Sequence, residues 1–148
     1  MPNLATDPSF VAYAVALLVL TLNLLLLWAY SGVVRTKTKT IRNPEDTTIA
    51  TGARLVEADP PEVDRVLRAH KNAMANTIPF AILGLVFVLS GASARVAVAI
   101  FATFTFARLA HSFAYLGGRQ PWRTLSFVLG SVATIALMGF IVRALVAA

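Results

Sequence analysis

Four stretches of the chain are apolar and long enough to cross a bilayer, and the polar segments between them are unequal. The first covers about 10–30 and is nearly all Leu, Val, Ala and aromatic residues, interrupted by Asn23. The others cover about 73–89, 94–115 and 124–147. A hydrocarbon core takes roughly twenty residues of helix, so each stretch predicts a membrane-spanning helix. The first is too long for a signal-peptide core and no basic segment precedes it, so it reads as a retained anchor. Link one, 31–59, is long and polar; Ser90-Gly91-Ala92-Ser93 reads as a tight turn; link three, 117–123, is short and basic. Asp59-Pro60-Pro61-Glu62 reads as a helix start, with Asp as the cap, Pro in the first turn and Glu complementing the dipole. The second helix is thus expected from Pro61, extending out of the membrane. The predicted elements are 10–30, 61–89, 94–115 and 122–147.

Composition narrows the class. Of 148 residues, 57% are hydrophobic and 14% charged, against about a quarter charged in soluble domains. The expectation is an all-α integral membrane four-helix bundle, one domain over 1–148, with no internal repeat. There are no cysteines, which excludes disulfides, thiolate metal sites and a cysteine nucleophile. No metal is expected. The net charge of +6 works here as a topology signal, and no nucleic-acid-binding motif accompanies it. Cations gather in links one and three, which places both links in the cytoplasm and both termini outside; Arg143 runs against this. The short, Ala- and Val-rich chain points to a bacterial inner membrane, although an endoplasmic reticulum fits the same residues.

Candidate chemistry concentrates in the third span. Arg108, His111 and Tyr115 fall at i, i+3 and i+7, on one helical face. Ionisable groups at bilayer depth are costly and need a partner, water or a ligand. A polar site competes here with simple snorkelling to headgroups. Arg68, Lys71, Asn72 and Ala75 share a face of the second helix, either a site wall or a basic face beside anionic lipid. Arg123 starts the last helix, as an anchor or as a fork for a carboxylate or thiolate. Asn43-Pro44-Glu45-Asp46 is an acidic turn in the basic link. Together, Arg35, Arg68, Lys71, Arg108, His111 and Arg123 would converge on an anionic, polar ligand entering from the cytoplasm, beside an apolar partner arriving through lipid.

The pieces Gly32-Val-Val-Arg35, Asn43-Pro44-Glu45-Asp46, Val63 through Asn72, Ile78-Pro79-Phe80, Arg108 through Gly117, and Arg123 resemble, in order and spacing, the MAPEG family of membrane-associated proteins in eicosanoid and glutathione metabolism. The branch most similar is that of microsomal glutathione transferase and microsomal prostaglandin E synthase. The resemblance implies a homotrimer of four-helix subunits, with glutathione between adjacent subunits near the cytoplasmic face. It implies glutathione contacts from Arg35, Asn72, His111, Tyr115 and Arg123, and a polar core of Arg68 and Arg108. The implied glutathione-binding set also takes in Arg68, Arg108, Lys71, which stands where the synthase has arginine, and Phe127, where it has tyrosine. Arg123 matches the thiolate-stabilising arginine, Asp46 a supporting loop aspartate, and Thr124 a serine position. Ala75 replaces a glutamate that meets the glutathione amino group, and Ala73 a nearby aspartate. The implied activity is a membrane glutathione transferase, with lipid-hydroperoxide peroxidase as a companion activity, conjugating the glutathione cosubstrate to hydrophobic electrophiles. Phe127 and Leu125-Ser126-Phe127 point away from prostaglandin synthesis. The alternatives are a non-catalytic lipid-binding scaffold and a transferase that uses a different thiol.

Overall fold

The computed structural model describes residues 4–147. Four helices carry the fold: α1 (Pro8–Thr38), α2 (Pro61–Leu89), α3 (Ala94–Leu116) and α4 (Trp122–Val146). All four are long and apolar enough to span a membrane. Short connections after α2 and α3 make the helices alternate in direction, so the 39–60 link and the 117–121 turn lie at the same end of the bundle, called here the link end. α1 packs on α2 and α3, and α4 packs along α3 and touches α2.

The helix starts follow local chemistry. Asp7 caps α1, its Oδ1 accepting from the backbone N–H groups of Ser9 (2.8 Å) and Phe10 (2.9 Å). The Ser9 hydroxyl donates to the Ala92 carbonyl at 2.9 Å, tying the start of α1 to the turn between α2 and α3. At its other end α1 runs past the expected boundary near Tyr30 to Thr38, closing at Lys39 with φ 51°. Link one is correspondingly shorter than the polarity of 31–38 implied; Ser31 and Val34 are buried there, which keeps the extra turns packed. The expected Asp59 cap is not made. The residue before α2 is Pro60 with no side-chain cap, and Asp59 instead takes Arg35 through bonds of 2.9–3.1 Å. That pair draws the end of α1 to the start of α2. Between them the link adds two minimal strands, β1 (Thr40–Ile41) and β2 (Arg54–Leu55), paired in parallel.

The main core lies away from the link end. Phe80 stacks on Phe104 and meets Phe101 edge-on, and Leu20, Phe87, Ala133 and Leu137 close around them. Many large apolar side chains face outward, among them Leu18 (72% exposed), Phe113 (75%) and Ile135 (67%). An outward apolar surface of this kind is what lipid or neighbouring helices cover. Two glycines are required, one by backbone conformation and one by close approach. At Gly118, φ is 63°, in the left-handed region that favours glycine. At Gly84, a Cβ would stand 3.0 Å from the rings of both Phe101 and Tyr13, and Tyr13 is held by its hydroxyl donating to the Ala81 carbonyl. Gly84→Val should therefore overpack this crossing and destabilise the fold by about 1–3 kcal/mol. A thermal melt in detergent checks this; an unchanged midpoint would show that the rings yield freely.

Candidate functional site

At the link end, the polar residues of α3 turn into the bundle. Arg108 is 1% exposed and His111 3% exposed. The 3.6-residue period stacks Arg108, His111 and Tyr115 on one side of α3, and α4 brings Phe127 and Arg123 against them. The His111 ring lies 5.6 Å from Tyr115 and 6.1 Å from Phe127. The Arg108 guanidinium carbon is 5.9 Å from the Phe127 ring centre, and that of Arg123 is 4.9 Å from the Tyr115 ring centre. Two cations thus sit over aromatic faces, an arrangement worth roughly 0.5–2 kcal/mol each depending on desolvation.

Arg108 is the unusual member. Its Nη2 donates to Asn72 Oδ1 at 3.3 Å. Nε and Nη1 are buried and find no hydrogen-bond partner among the described residues. Its backbone carbonyl accepts from Ser112 Oγ at 3.1 Å, and Ser112 in turn accepts from Asn23 Nδ2 at 3.2 Å. A chain of polar contacts therefore runs from α1 through α3 to α2. One signal of this relay was legible in the sequence, the lone Asn23 in the first apolar span; nothing distinguished Ser112.

The structure brings together Asn72, Arg108, His111, Tyr115, Arg123 and Phe127. The other candidates do not join them within one chain. Arg35 is engaged by Asp59. Arg68 is exposed and ion-paired with Asp64 one turn earlier on α2. Lys71 and Ala75 are exposed. The expected convergence of Arg35, Arg68 and Lys71 on this cluster is thus not met in the single subunit, because nearby carboxylates hold two of them and the third points outward. Asp46 accepts from Asn43 Nδ2 at 3.2 Å and lines, with Arg35, Lys39 and Thr40, a separate hollow of about 520 Å³ in the link. Thr124 is exposed, its hydroxyl donating to Gln120 Oε1 at 3.1 Å. An apolar furrow of about 750 Å³ between α1 and α3, lined by Val11, Val15, Phe101 and Phe106, is not part of the cluster. No cluster of metal-ligating side chains occurs among the described residues.

Four membrane-crossing helices with a cation-and-aromatic cluster at one end define an integral multi-pass membrane protein whose bundle holds a polar site. Its sequence matches the model of the MAPEG family over residues 11–143, and the chain belongs to that family. It is 34% identical over 135 residues to human prostaglandin E synthase, covering 89% of this chain and 88% of that protein. It is 35% identical over 136 residues to human microsomal glutathione S-transferase 1, covering 88% and 87%. The bovine prostaglandin E synthase is 39% identical over 110 residues, covering 72% and 71%. The motif-level resemblance and the four-helix architecture are thereby borne out. The near-equal identity to the synthase and the transferase does not separate the two activities.

Proposed function

We propose that this protein is a membrane glutathione transferase that conjugates the glutathione thiolate to hydrophobic electrophiles delivered through the bilayer. The observation that carries this reading is Arg108, a buried guanidinium with two unsatisfied nitrogens, in one cluster with the half-buried Arg123. Unpaired buried cations are costly, and an anionic ligand relieves that cost. The relatives are a glutathione transferase and prostaglandin E synthases by name, which supports a glutathione-related membrane enzyme. Phe127 and the transferase-like start of α4 favour the transferase over prostaglandin synthesis.

In this reading Arg123 holds the sulfur as thiolate, and Arg108, His111 and Asn72 bind the polar end of the tripeptide, with Tyr115 and Phe127 as ring walls. Arg35, Arg68 and Lys71 complete the site from a neighbouring subunit in a homotrimer. Asp46 and Thr124 support the thiol region. The sulfur lone pair forms a C–S bond to the electrophilic carbon, and the leaving group departs with its electron pair. With a lipid hydroperoxide, sulfur attacks the terminal peroxide oxygen. The O–O bond breaks to give a sulfenic acid and the lipid alkoxide, which takes a proton to leave as the alcohol, and a second thiol converts the sulfenic acid to the disulfide and water. The nucleophile belongs to the cosubstrate, which suits a chain without cysteine. The cationic link end faces the cytoplasm in a bacterial inner membrane, with both termini outside.

A free thiol ionises near 8.5, and a neighbouring cation favours the thiolate. Glutathione added to the purified protein at neutral pH should therefore develop saturable thiolate absorbance. No binding at millimolar glutathione would remove the assignment. The second reading, a non-catalytic lipid-binding scaffold, is favoured by one observation: Arg35 and Arg68 are both neutralised by carboxylates of their own chain. Saturable binding without any conjugation would support it. Absorbance with another thiol alone would keep the transferase chemistry and change the cosubstrate.

A further inference from the structure

The charge distribution across the site is one-sided. All seven acidic residues lie at or before Asp64: Asp7, Glu45, Asp46, Glu57, Asp59, Glu62 and Asp64. No acidic side chain follows, so most of α2 and all of α3 and α4 carry only cations and neutral groups. Asp64 is ion-paired with Arg68. It lies eight residues before Asn72, roughly 12 Å along the axis at 1.5 Å per residue. Asp59 is taken by Arg35, with Arg42 at 3.9 Å. Around Arg108 the polar neighbours are Asn72, His111 and Ser112, none of which carries negative charge. The cluster is built for anions and no carboxylate of its own chain lies in it to complement an ammonium group; the acids that would accompany Arg35 and Arg68 from a neighbouring subunit, Asp59 and Asp64, are already held by those arginines.

Resting on the transferase reading above, we infer that this protein selects its thiol by anionic groups alone. Its cosubstrate class is the carboxylate-bearing thiols, and the α-ammonium of glutathione contributes nothing to its recognition. Glutathione enters as one member of that class. A thiol with the same carboxylates and no amine serves equally well, because it spares the cationic cluster an unpaired positive charge.

The clean probe is glutaryl-cysteinyl-glycine, which is glutathione with the α-amino group replaced by hydrogen. It removes the charge and adds no bulk. A charge-assisted hydrogen bond to an ammonium is worth about tenfold or more in binding. Wild-type protein should therefore conjugate the deaminated thiol with kcat/KM within about threefold of glutathione, far less than such a bond would cost. A loss of about tenfold or more overturns the inference. It would show that a neutral acceptor holds the ammonium, such as the Ala75 carbonyl, which Pro79 leaves without its helical donor. Ala75→Glu supplies a second readout. Position 75 is exposed and one helical turn from Asn72, so a carboxylate there should raise the preference for glutathione over the deaminated thiol by about tenfold. An unchanged ratio would count against the inference. If wild type conjugates neither thiol, the transferase reading fails, and the inference fails with it. Use of glutathione together with rejection of the deaminated thiol fails the inference alone.

Discussion

Arg123→Ala lowers the rate of thiol conjugation by about a hundredfold at neutral pH and leaves assembly and melting nearly unchanged. The magnitude is that of removing one preorganised donor from a developing or resident anion, about 10²–10³ in turnover. Position 123 is half-buried at the start of α4, and its guanidinium makes a ring contact with Tyr115. It makes no ion pair with the described carboxylates within 4.0 Å, so little of the fold depends on it. The sign of the pH dependence follows from the sulfur. A cation beside it favours the thiolate, so wild type keeps its nucleophile ionised below the free-thiol range and its rate is flat through neutrality. In Arg123→Ala the sulfur titrates near 8.5, and the rate climbs about tenfold per pH unit toward that value. Raising the pH should therefore rescue most of the lost rate. Arg123→Lys should fall between, keeping the point charge and losing the planar fork. A pH-independent loss would mean that Arg123 positions the thiol without setting its ionisation, and equal turnover would remove it from the mechanism.

Hydropathy made the helices legible because four apolar stretches of bilayer length leave few architectures open. Their ends were less so. The polar run 31–38 looked like link because its composition is polar, yet Ser31 and Val34 recur at helical spacing and are buried. The α3 triad was readable from spacing alone, since Arg108, His111 and Tyr115 must share a face. The partnerships of the other cations were not readable. Arg35 finds Asp59 across 24 residues, and no periodicity encodes a contact between a helix end and a loop. Arg68 takes the acid one turn before it, a local pairing that competes with the site for the same side chain. Arg68, Lys71 and Ala75 stay on an exposed face of α2, away from the Arg108 cluster.

Arg108→Met raises thermal stability while abolishing thiol binding. Arg108 is fully buried, yet it offers the fold one hydrogen bond to Asn72 and a face of Phe127. Nε and Nη1 are unsatisfied, and no acidic side chain exists beyond Asp64 to pair with them from α3 or α4. Replacing a buried charge with an apolar side chain of similar length is neutral to stabilising, by about 1–4 kcal/mol. For a chain of this size that corresponds to roughly 2–4 °C in Tm for each kcal/mol. In the proposed site the same substitution removes the group assigned to the ligand's negative charge. Wild type should gain about 2.7 kcal/mol from glutathione at a hundredfold over its Kd, whereas Arg108→Met should show no ligand-dependent shift. The two melts, with and without thiol, separate the causes. A variant that is more stable alone and blind to thiol identifies Arg108 as a residue kept for its ligand at the expense of the fold. A variant that melts well below wild type without ligand would mean that a carboxylate of a neighbouring subunit holds the guanidinium. The electrostatics of the site would then belong to the assembled protein, and the one-sided charge seen in a single chain would be closed by its partner.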